Sequence, residues 1–321
     1  MKEFVLEILK RIDLGQAVAL CVVVETRGST PQKRGAIMLV FGDGVTMGTL
    51  GGGCVEAEVR REAVGQISRG ESRTVRFSLD HDYGWDDGLI CGGVMLIHMR
   101  VVGAGDRAWL EKLAEELAAE REVEFRLPYE VEGARHEFVR KLIPPGVLVI
   151  AGAGHVGFWL AKLAGDLNFL VDVIDDRAEF LNRERFPSAR QLICGEIETE
   201  LKKYPVEARS YVVIVTRGHR NDGRALAAVA GRDAAYVGLI GSKRKIKTIM
   251  DDLAASGVDY EWLKSVHAPV GLDIGAVTVP EIAISIMAEL VAARAGKSSS
   301  PAMKMSDEEL EKWLTRAKRV Q

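Results

Sequence analysis

The stretch "GVLVIAGAGHVGFWLAKLAGDL" (residues 146–167) decides the fold of the second half of the chain. An apolar run leads into a glycine turn and then into a helical pattern, and Gly152, Gly154 and Gly157 fit G-x-G-x-x-G. These glycines permit a tight turn, the close approach of a phosphate and close packing of the helix on the sheet. The N-terminus of the helix offers unpaired N–H groups and a positive dipole end to an anion.

The residues that follow continue a dinucleotide-binding pattern. "FLVDVIDDR" (169–177) is a second apolar strand, and Asp175 and Asp176 end it at the spacing expected for a residue that bonds a ribose hydroxyl. Two more apolar runs, "SYVVIVT" and "AAYVGLIGS", each precede a helical pattern. This alternation predicts an α/β domain with a doubly wound parallel sheet of the Rossmann type. Whether a nucleotide occupies it stays open, and His155 is either an exposed helix residue or a donor to an anion.

The change of rhythm at "PPG" (144–146) predicts a domain boundary. We expect a mixed α/β domain with glycine-rich loops over 1–144, the Rossmann-like domain over 145–297, and a tail with a short helix over 298–321. The chain starts with an amphipathic helix and the apolar run "AVALCVVV", which is too short to span a bilayer.

Composition is that of an ordinary globular protein, with 43 basic and 46 acidic residues and a net charge of −3. The sequence has no stripe of basic residues of the kind that binds nucleic acid. We expect a cytoplasmic protein without a membrane partner. No C-x-x-C pair occurs among the four cysteines, which argues against structural zinc, and we expect reduced thiols. Cys21 and Cys194 lie in apolar runs and are expected to pack in the core.

Two glycine clusters each carry a cysteine: "GTLGGGCVEAEV" (48–59) and "DDGLICGG" (86–93). Two interpretations stay open for them. The glycines form tight turns in a β-rich fold, or they open the backbone for a bulky ligand at which a sulfur is aimed. Because a helical pattern follows Cys54, the helix dipole favours its thiolate, and we expect it to be more reactive than Cys91. The residues of this hypothesis are Gly51, Gly52, Gly53, Cys54, Cys91, Gly92 and Gly93.

Polar loops between predicted elements supply further candidate residues. For each loop the alternative is an ordinary polar turn or a solvated helix face without a ligand. "GSTPQKRGA" combines hydroxyls and cations suited to a phosphate or pterin. "TRGHRND" and "IGSKRK" follow predicted strands, where ligands bind in open α/β folds. His219 is a candidate acid/base group or ligand donor, and Asp273 is interpreted as structural. The remaining members of these loops are Ser29, Thr30, Gln32, Lys33, Arg34, Arg217, Asp222, Ser242, Lys243 and Arg244. A metal cluster at His81, Asp82, Asp86 and Asp87 is the weaker interpretation of those residues.

Taken together, these motifs resemble the XdhC/CoxI family of accessory proteins of molybdenum hydroxylases. The stretches that carry the resemblance cover both halves of the chain: "GSTPQKRGAIMLV", "GTLGGGCVEAEV", "DDGLICGG", "VIAGAGHVG", "VIDDR", "TRGHRND", "IGSKRK" and "PVGLDIGAVTVPEIAISIMAEL". The resemblance implies a chaperone that binds the molybdenum cofactor, presents it to a cysteine desulfurase for sulfuration, and assists its insertion into an apo-hydroxylase of the xanthine dehydrogenase type. It also implies a homodimer. It fixes no catalytic residue, and Cys54, Cys91 and His219 are the candidates.

Members of this family often carry the name xanthine dehydrogenase, but this chain lacks the cysteine sets of plant-type [2Fe–2S] clusters and is not by itself a complete hydroxylase. No protein side chains are expected to form a metal site alone, although Cys54 or Cys91 is placed near molybdenum by the thiolate argument. The alternative functions are an NAD(P)-dependent oxidoreductase that uses Asp175, and a scaffold whose Rossmann domain has lost its ligand. We further expect the glycine loops to face the carboxyl edge of the parallel sheet across a shared cleft.

Overall fold

The computed structural model describes residues 1–79 and 93–297. The chain forms two compact units, one of residues 1–144 and one that starts at Pro145. Cys91, Gly92, the proposed acidic metal cluster and the expected tail helix lie outside the described residues.

The first unit is built on a five-stranded antiparallel sheet in the order β3-β2-β1-β5-β4, with a separate β6–β7 hairpin. The predicted mixed α/β character of this half is confirmed. Its elements are α1 (Lys2–Asp13), β1 (Val18–Arg27), β2 (Ile37–Phe41), β3 (Thr46–Gly48), α2 (Gly53–Arg69), β4 (Arg73–Ser78), β5 (Val94–Val102), α3 (Arg107–Ala118), β6 (Val123–Val131) and β7 (Ala134–Leu142).

Strand β1 is the centre of this unit, and both of its faces are buried. Val18, Leu20 and Val22 pack with α1, α3 and the hairpin, whereas Ala19 and Cys21 pack on the opposite face with α2. Cover on both faces explains why the strand is apolar throughout instead of alternating. The expected core position of Cys21 is confirmed.

The second unit has five parallel strands in the order β10-β9-β8-β11-β12. This order reverses direction between β8 and β11, as in a Rossmann sheet, and confirms the predicted fold class. Its elements are β8 (Val147–Ala151), α4 (His155–Asp166), β9 (Leu170–Asp175), β10 (Gln191–Cys194), α5 (Ile197–Lys203), β11 (Ser210–Ile214), α6 (His219–Ala228), β12 (Tyr236–Leu239), α7 (Lys243–Ala255), α8 (Tyr260–Ser265) and α9 (Val279–Arg294).

Helices cover both faces of this sheet. Helices α5 to α8 pack on one face, and α4 and α9 pack on the other. Helix α9 starts with the predicted capping box, in which the Glu281 carboxylate accepts the Thr278 N–H at 2.8 Å. None of the described helices is both long and apolar enough to cross a bilayer.

The expectation that Cys194 packs in the core is wrong, because its side chain is exposed. Strand β10 is at the edge of the parallel sheet, so it has a neighbour on one side only, and Cys194 is its last residue. The apolar letters around a cysteine do not show that its strand is an edge strand.

Buried carboxylates join neighbouring elements of the second unit, and Asp172 is one of them. Asp172, inside β9, accepts the Arg190 guanidinium at 2.6 Å and the Tyr204 hydroxyl at 2.5 Å. Burial and this carboxylate both raise the pKa of Tyr204 above its ordinary range. The pair ties β9 to the start of β10 and the end of α5, since a buried carboxylate needs its partners in place.

Glu289 is another buried carboxylate and lies within the apolar helix α9. It accepts the Tyr236 hydroxyl at 2.8 Å and the Gly271 N–H at 2.6 Å, and its other oxygen lies 2.8 Å from His267 Nδ1. Burial alone raises the pKa of this carboxyl, but its hydrogen bonds outweigh burial and hold the pKa below the ordinary value. Helix α9 is thereby joined to β12 and to the turn that precedes the helix.

Candidate functional site

The first glycine cluster forms the turn between β3 and α2. Gly51, Gly52 and Gly53 have φ values of +114°, +78° and +65°, a left-handed run that favours glycine at every step. Residues with side chains are strained in this conformation, so the backbone geometry itself accounts for three glycines in a row. Helix α2 then begins at Gly53.

The N–H groups that this turn brings together are not vacant. One oxygen of Glu56, in the first turn of α2, accepts the N–H groups of Leu50 and Gly52 at 2.7 Å each. The Thr49 hydroxyl bonds the same oxygen. Burial opposes ionisation, but these bonds outweigh it and lower the pKa of Glu56. The chain therefore supplies its own anion to the turn that the sequence suggested for a ligand.

Glycines from two motifs pack on one loop of the first unit. A Cβ atom added to Gly51 would lie 2.6 Å from Pro31 Cβ, and one added to Gly93 would overlap the Ser29 carbonyl oxygen. Both glycines thus pack on the loop that carries "GSTPQKRGA". The structure brings together residues that the sequence placed in three separate motifs.

Within that loop the polar side chains have different surroundings. The Thr30 hydroxyl donates to the Gln32 carbonyl at 2.8 Å, which is a local turn contact. Arg34 Nε donates to the Val24 carbonyl at 2.9 Å, and its guanidinium lies over the Phe138 ring. Ser29 and Lys33 are exposed. Arg34 is therefore fixed against the protein, whereas Lys33 faces solvent.

Cys54 is half-buried and is the second residue of α2. This position at a helix N-terminus is the one that the sequence predicted, and a helix dipole favours the thiolate there. Glu56 lies two positions further along, in the same first turn of the helix, and its negative charge opposes that effect. The role of Cys54 stays a prediction.

The second glycine turn joins β8 to α4, and its glycines differ in surroundings. A Cβ at Gly152 would lie 2.5 Å from the Val215 carbonyl oxygen, and one at Gly157 would overlap the Gly152 carbonyl oxygen. Nothing lies within 4 Å of the corresponding point at Gly154. Gly152 and Gly157 are thus required by packing, and Gly154 leaves open space at the start of α4. His155 is exposed as the first residue of that helix.

Asp175 ends β9 as predicted, but both of its carboxylate oxygens are already engaged. Oδ2 accepts the Ala153 N–H at 2.6 Å, and Arg177 bonds the two oxygens at 2.9 and 3.0 Å. Asp175 is buried, and these bonds outweigh the effect of burial and lower its pKa. The carboxylate holds the glycine turn in place, and a ribose hydroxyl would have to displace a paired guanidinium from it.

Beside this turn, Asp176 and Arg217 form an exposed ion pair with an N–O distance of 3.0 Å. It links the residues after β9 to those after β11, at the edge where the strand order reverses. Exposed pairs of this kind contribute little to stability.

Asp222 lies at this edge, as expected from the sequence, but its side chain does not face solvent. It is buried, accepts the Thr216 hydroxyl at 2.6 Å and forms an ion pair with Lys245. The carboxylate thereby connects the end of β11 with the starts of α6 and α7. Its bonds indicate a structural role.

The remaining candidates of the second unit are exposed at helix starts. His219 is the first residue of α6, and Lys243 and Arg244 begin α7. Ser242 caps α7 by accepting the Lys245 N–H at 3.3 Å. Asp273 is exposed in the turn before α9. Among the residues that the structure describes, no group of three or more His, Cys, Asp or Glu side chains is placed to hold a metal ion.

Two family models match the chain. The model described as the XdhC and CoxI family matches residues 12–78, and the XdhC Rossmann domain matches residues 148–290. A solved structure described as a xanthine dehydrogenase from Bacillus halodurans superposes with a TM-score of 0.79 at 23% identity, covering 95% of this chain and 99% of that one. At that identity the structural match supports the fold.

Three curated proteins are similar in sequence. YqeB of Escherichia coli is 31% identical over 274 residues, or 85% of this chain, which spans only 43% of YqeB. A probable xanthine dehydrogenase subunit of Bacillus subtilis is 26% identical over 317 residues, with 87% of this chain and 94% of that protein covered. The molybdenum cofactor insertion chaperone PaoD of E. coli is 37% identical over 79 residues, about a quarter of each chain, at 25% and 24%. With both family models matched in order and the parallel sheet in place, the chain belongs to the XdhC and CoxI family.

Proposed function

We propose that this protein binds the molybdenum cofactor as cargo and assists its maturation for a molybdenum hydroxylase of the xanthine dehydrogenase type. The observation that carries the proposal is the meeting of the Gly51–Gly53 turn, Gly93 and the loop around Pro31 beside the half-buried thiol of Cys54. Support comes from the similarity to a protein named a molybdenum cofactor insertion chaperone.

The chemistry of this region suits a pterin dithiolene that carries molybdenum and a phosphate. Backbone N–H groups that converge at a glycine turn bind anions, and a thiolate is a soft donor for molybdenum. Because Glu56 already accepts the Leu50 and Gly52 N–H groups, an anionic cargo at this turn replaces an internal carboxylate. Cys54 then holds the metal end or a sulfur during exchange.

The finer steps of the proposal concern partners. We infer sulfuration of the bound cofactor by a cysteine desulfurase, followed by transfer to the apo-hydroxylase, in the cytoplasm and with the chain as a homodimer. These steps are what the resemblance to accessory proteins of molybdenum hydroxylases implies. They are separable from cofactor binding by experiment.

The NAD(P)-dependent oxidoreductase is the poorer candidate. Its expected ribose ligand, Asp175, has both oxygens engaged by Ala153 and Arg177. A thermal-shift titration with NAD tests this directly. We expect no shift of the unfolding midpoint and no hydride transfer.

Cofactor binding is tested by expressing the full chain in a host that makes the molybdenum cofactor. We expect the purified protein to carry molybdenum, measured by mass spectrometry, and a pterin, measured by fluorescence after oxidation. Cys54→Ser is expected to lower both several-fold. Cys194→Ser, at an exposed cysteine of the other unit, is the matched control and is expected to change neither.

Alkylation rates at neutral pH complete the test, with Cys91→Ser compared alongside. We expect Cys54 to react faster than Cys91. A wild-type protein without molybdenum or pterin would contradict the proposal. Equal retention in Cys54→Ser and Cys194→Ser would remove Cys54 from it.

A further inference from the structure

An open cavity of about 610 Å³ lies within the first unit. Its walls come from the start of α1, the loop before β2, the end of β3 and the strand β7. Its volume is in the range of small-molecule sites. The lining residues that matter for its chemistry are Phe4, Lys33, Arg34, Thr49, Phe138 and Arg140.

The charge of this cavity is of one sign. Lys33, Arg34 and Arg140 line it, and none of the described residues in its wall is acidic. Other arginines of the same unit are neutralised: Arg107 and Arg126 each pair with two carboxylates. Like charges placed together repel one another, so an anion bound among these cations is favoured.

Two of the three cations are held in fixed orientations. Arg34 donates through Nε to the Val24 carbonyl, and its guanidinium carbon lies 4.7 Å from the centroid of the Phe138 ring. Arg140 donates through Nη1 to the Gly35 carbonyl at 2.8 Å. A guanidinium has five N–H donors, so these backbone bonds orient each group and leave further donors for a ligand.

The cavity and the glycine turn share Thr49. This residue lines the cavity, and its hydroxyl oxygen accepts the Gly51 N–H at 3.1 Å within the turn. A ligand held in the cavity therefore lies against the residue from which the turn begins. Two motifs that the sequence presents separately, "GSTPQKRGA" and "GTLGGGC", form parts of one wall.

We propose that Lys33, Arg34 and Arg140 bind the phosphate-bearing end of an anionic ligand. The identification of that ligand as the molybdenum cofactor rests on the proposed function, whereas the phosphate site itself does not. Guanidinium and ammonium groups recognise phosphate oxygens through charge-assisted hydrogen bonds. The apolar edges of Phe4 and Phe138 suit the carbon skeleton next to the phosphate.

The phosphate site is tested by calorimetric titration of inorganic pyrophosphate into the full chain. The double variant K33Q/R140Q removes two of the three charges and leaves Arg34 with its contacts. We expect its affinity to fall at least about tenfold, the loss of roughly one charge-assisted hydrogen bond. The matched control K112Q/R60Q changes an exposed lysine and an exposed arginine outside the cavity, and its affinity is expected to equal that of the wild type.

Thermal unfolding of each variant shows whether it is folded. If the double variant K33Q/R140Q does not fold, Lys33→Gln alone, at an exposed side chain, replaces it in the titration. Absence of pyrophosphate binding, or equal affinity in the cavity variant and the control, would overturn the inference. Molybdenum content of the co-expressed wild type separates the two proposals. Molybdenum without a pyrophosphate site refutes only the cavity, and a pyrophosphate site without molybdenum refutes only the proposed function.

Discussion

The two glycine turns of this protein have the same local plan and differ in how they are stabilised. Each follows a strand, starts a helix and bonds a carboxylate of the chain. In the first unit the carboxylate is Glu56, and its hydrogen-bond partners within the described residues, Thr49, Leu50 and Gly52, are neutral. In the second it is the buried Asp175, which a guanidinium grips on both oxygens.

We expect this difference to let the first turn exchange its anion more easily than the second. Glu56 is half-buried, so water compensates part of what it loses on leaving its partners. Departure of Asp175 would leave Arg177, whose side chain is 19% exposed, with a longer 3.8 Å pair to Asp176. A glycine-rich sequence thus does not distinguish a ligand site from a structural turn, and we expect the partners of the bonded carboxylate to do so.

The largest effect is expected from Gly157→Ala in the second turn. The added methyl overlaps the Gly152 carbonyl oxygen, which is backbone and cannot move aside cheaply. We expect a loss of about 3 kcal/mol in the free energy of unfolding, measured by urea denaturation. Gly154→Ala meets open space and is expected to cost less than about 1 kcal/mol. Equal losses in the two variants would show that helix α4 does not need the close contact.

An intermediate effect is expected from Asp175→Asn. The substitution removes the closer carboxylate from the Arg177 guanidinium, which keeps a longer 3.8 Å pair with the exposed Asp176, and at neutral pH we expect a loss of about 3 kcal/mol or slightly less. Asp176→Asn, at an exposed neighbour, is the matched control and is expected to cost less than about 1 kcal/mol.

The comparison of the wild type with Asp175→Asn also gives a pH prediction. The pKa of Asp175 is lowered in the folded state, so its contribution is complete above the unfolded pKa of about 4. It is lost as the pH falls through the lower folded pKa. In urea denaturation, the free energy of unfolding of the wild type should therefore approach that of Asp175→Asn as the pH falls from neutral to acid. A constant difference across that range would contradict the assignment.

The smallest effect is expected from Glu56→Gln in the first turn. The glutamine oxygen still accepts the Leu50 and Gly52 N–H groups, so only the charge is lost, and we expect about 0.5–1 kcal/mol. Glu58→Gln, on the same helix and in a loose 3.7 Å pair with Arg61, is the control and is expected to be near neutral. A loss for Glu56→Gln as large as that for Asp175→Asn would remove the distinction between the two turns.

The sequence predicted those features whose causes are local. The G-x-G-x-x-G turn, the acid at the end of β9 and the capping box of α9 depend on residues close together in the chain, and all are present. The exposure of Cys194 was mispredicted because edge and central strands share the same apolar letters.

The polar partners were not predictable in the same way. Glu289 and Tyr236 are 53 positions apart, and the contact between Arg140 and Gly35 spans 105 positions. Which carboxylate enters a turn, and which cations line a cavity, depends on tertiary packing. Even the bond between Asp175 and Arg177, only two positions apart, competes with a ligand role that fits the same letters.

If the first glycine turn binds an anionic cargo as we propose, the Glu56 contact also bears on how that cargo is released. A carboxylate tethered four positions from Gly52 acts as a resident competitor at an effective concentration on the order of millimolar. Any incoming anion therefore binds with an apparent affinity that is reduced by the fraction of molecules in which Glu56 has left these N–H groups. When that anion departs, Glu56 would again accept the Leu50 and Gly52 N–H groups. The empty turn would then not be left with unsatisfied backbone donors.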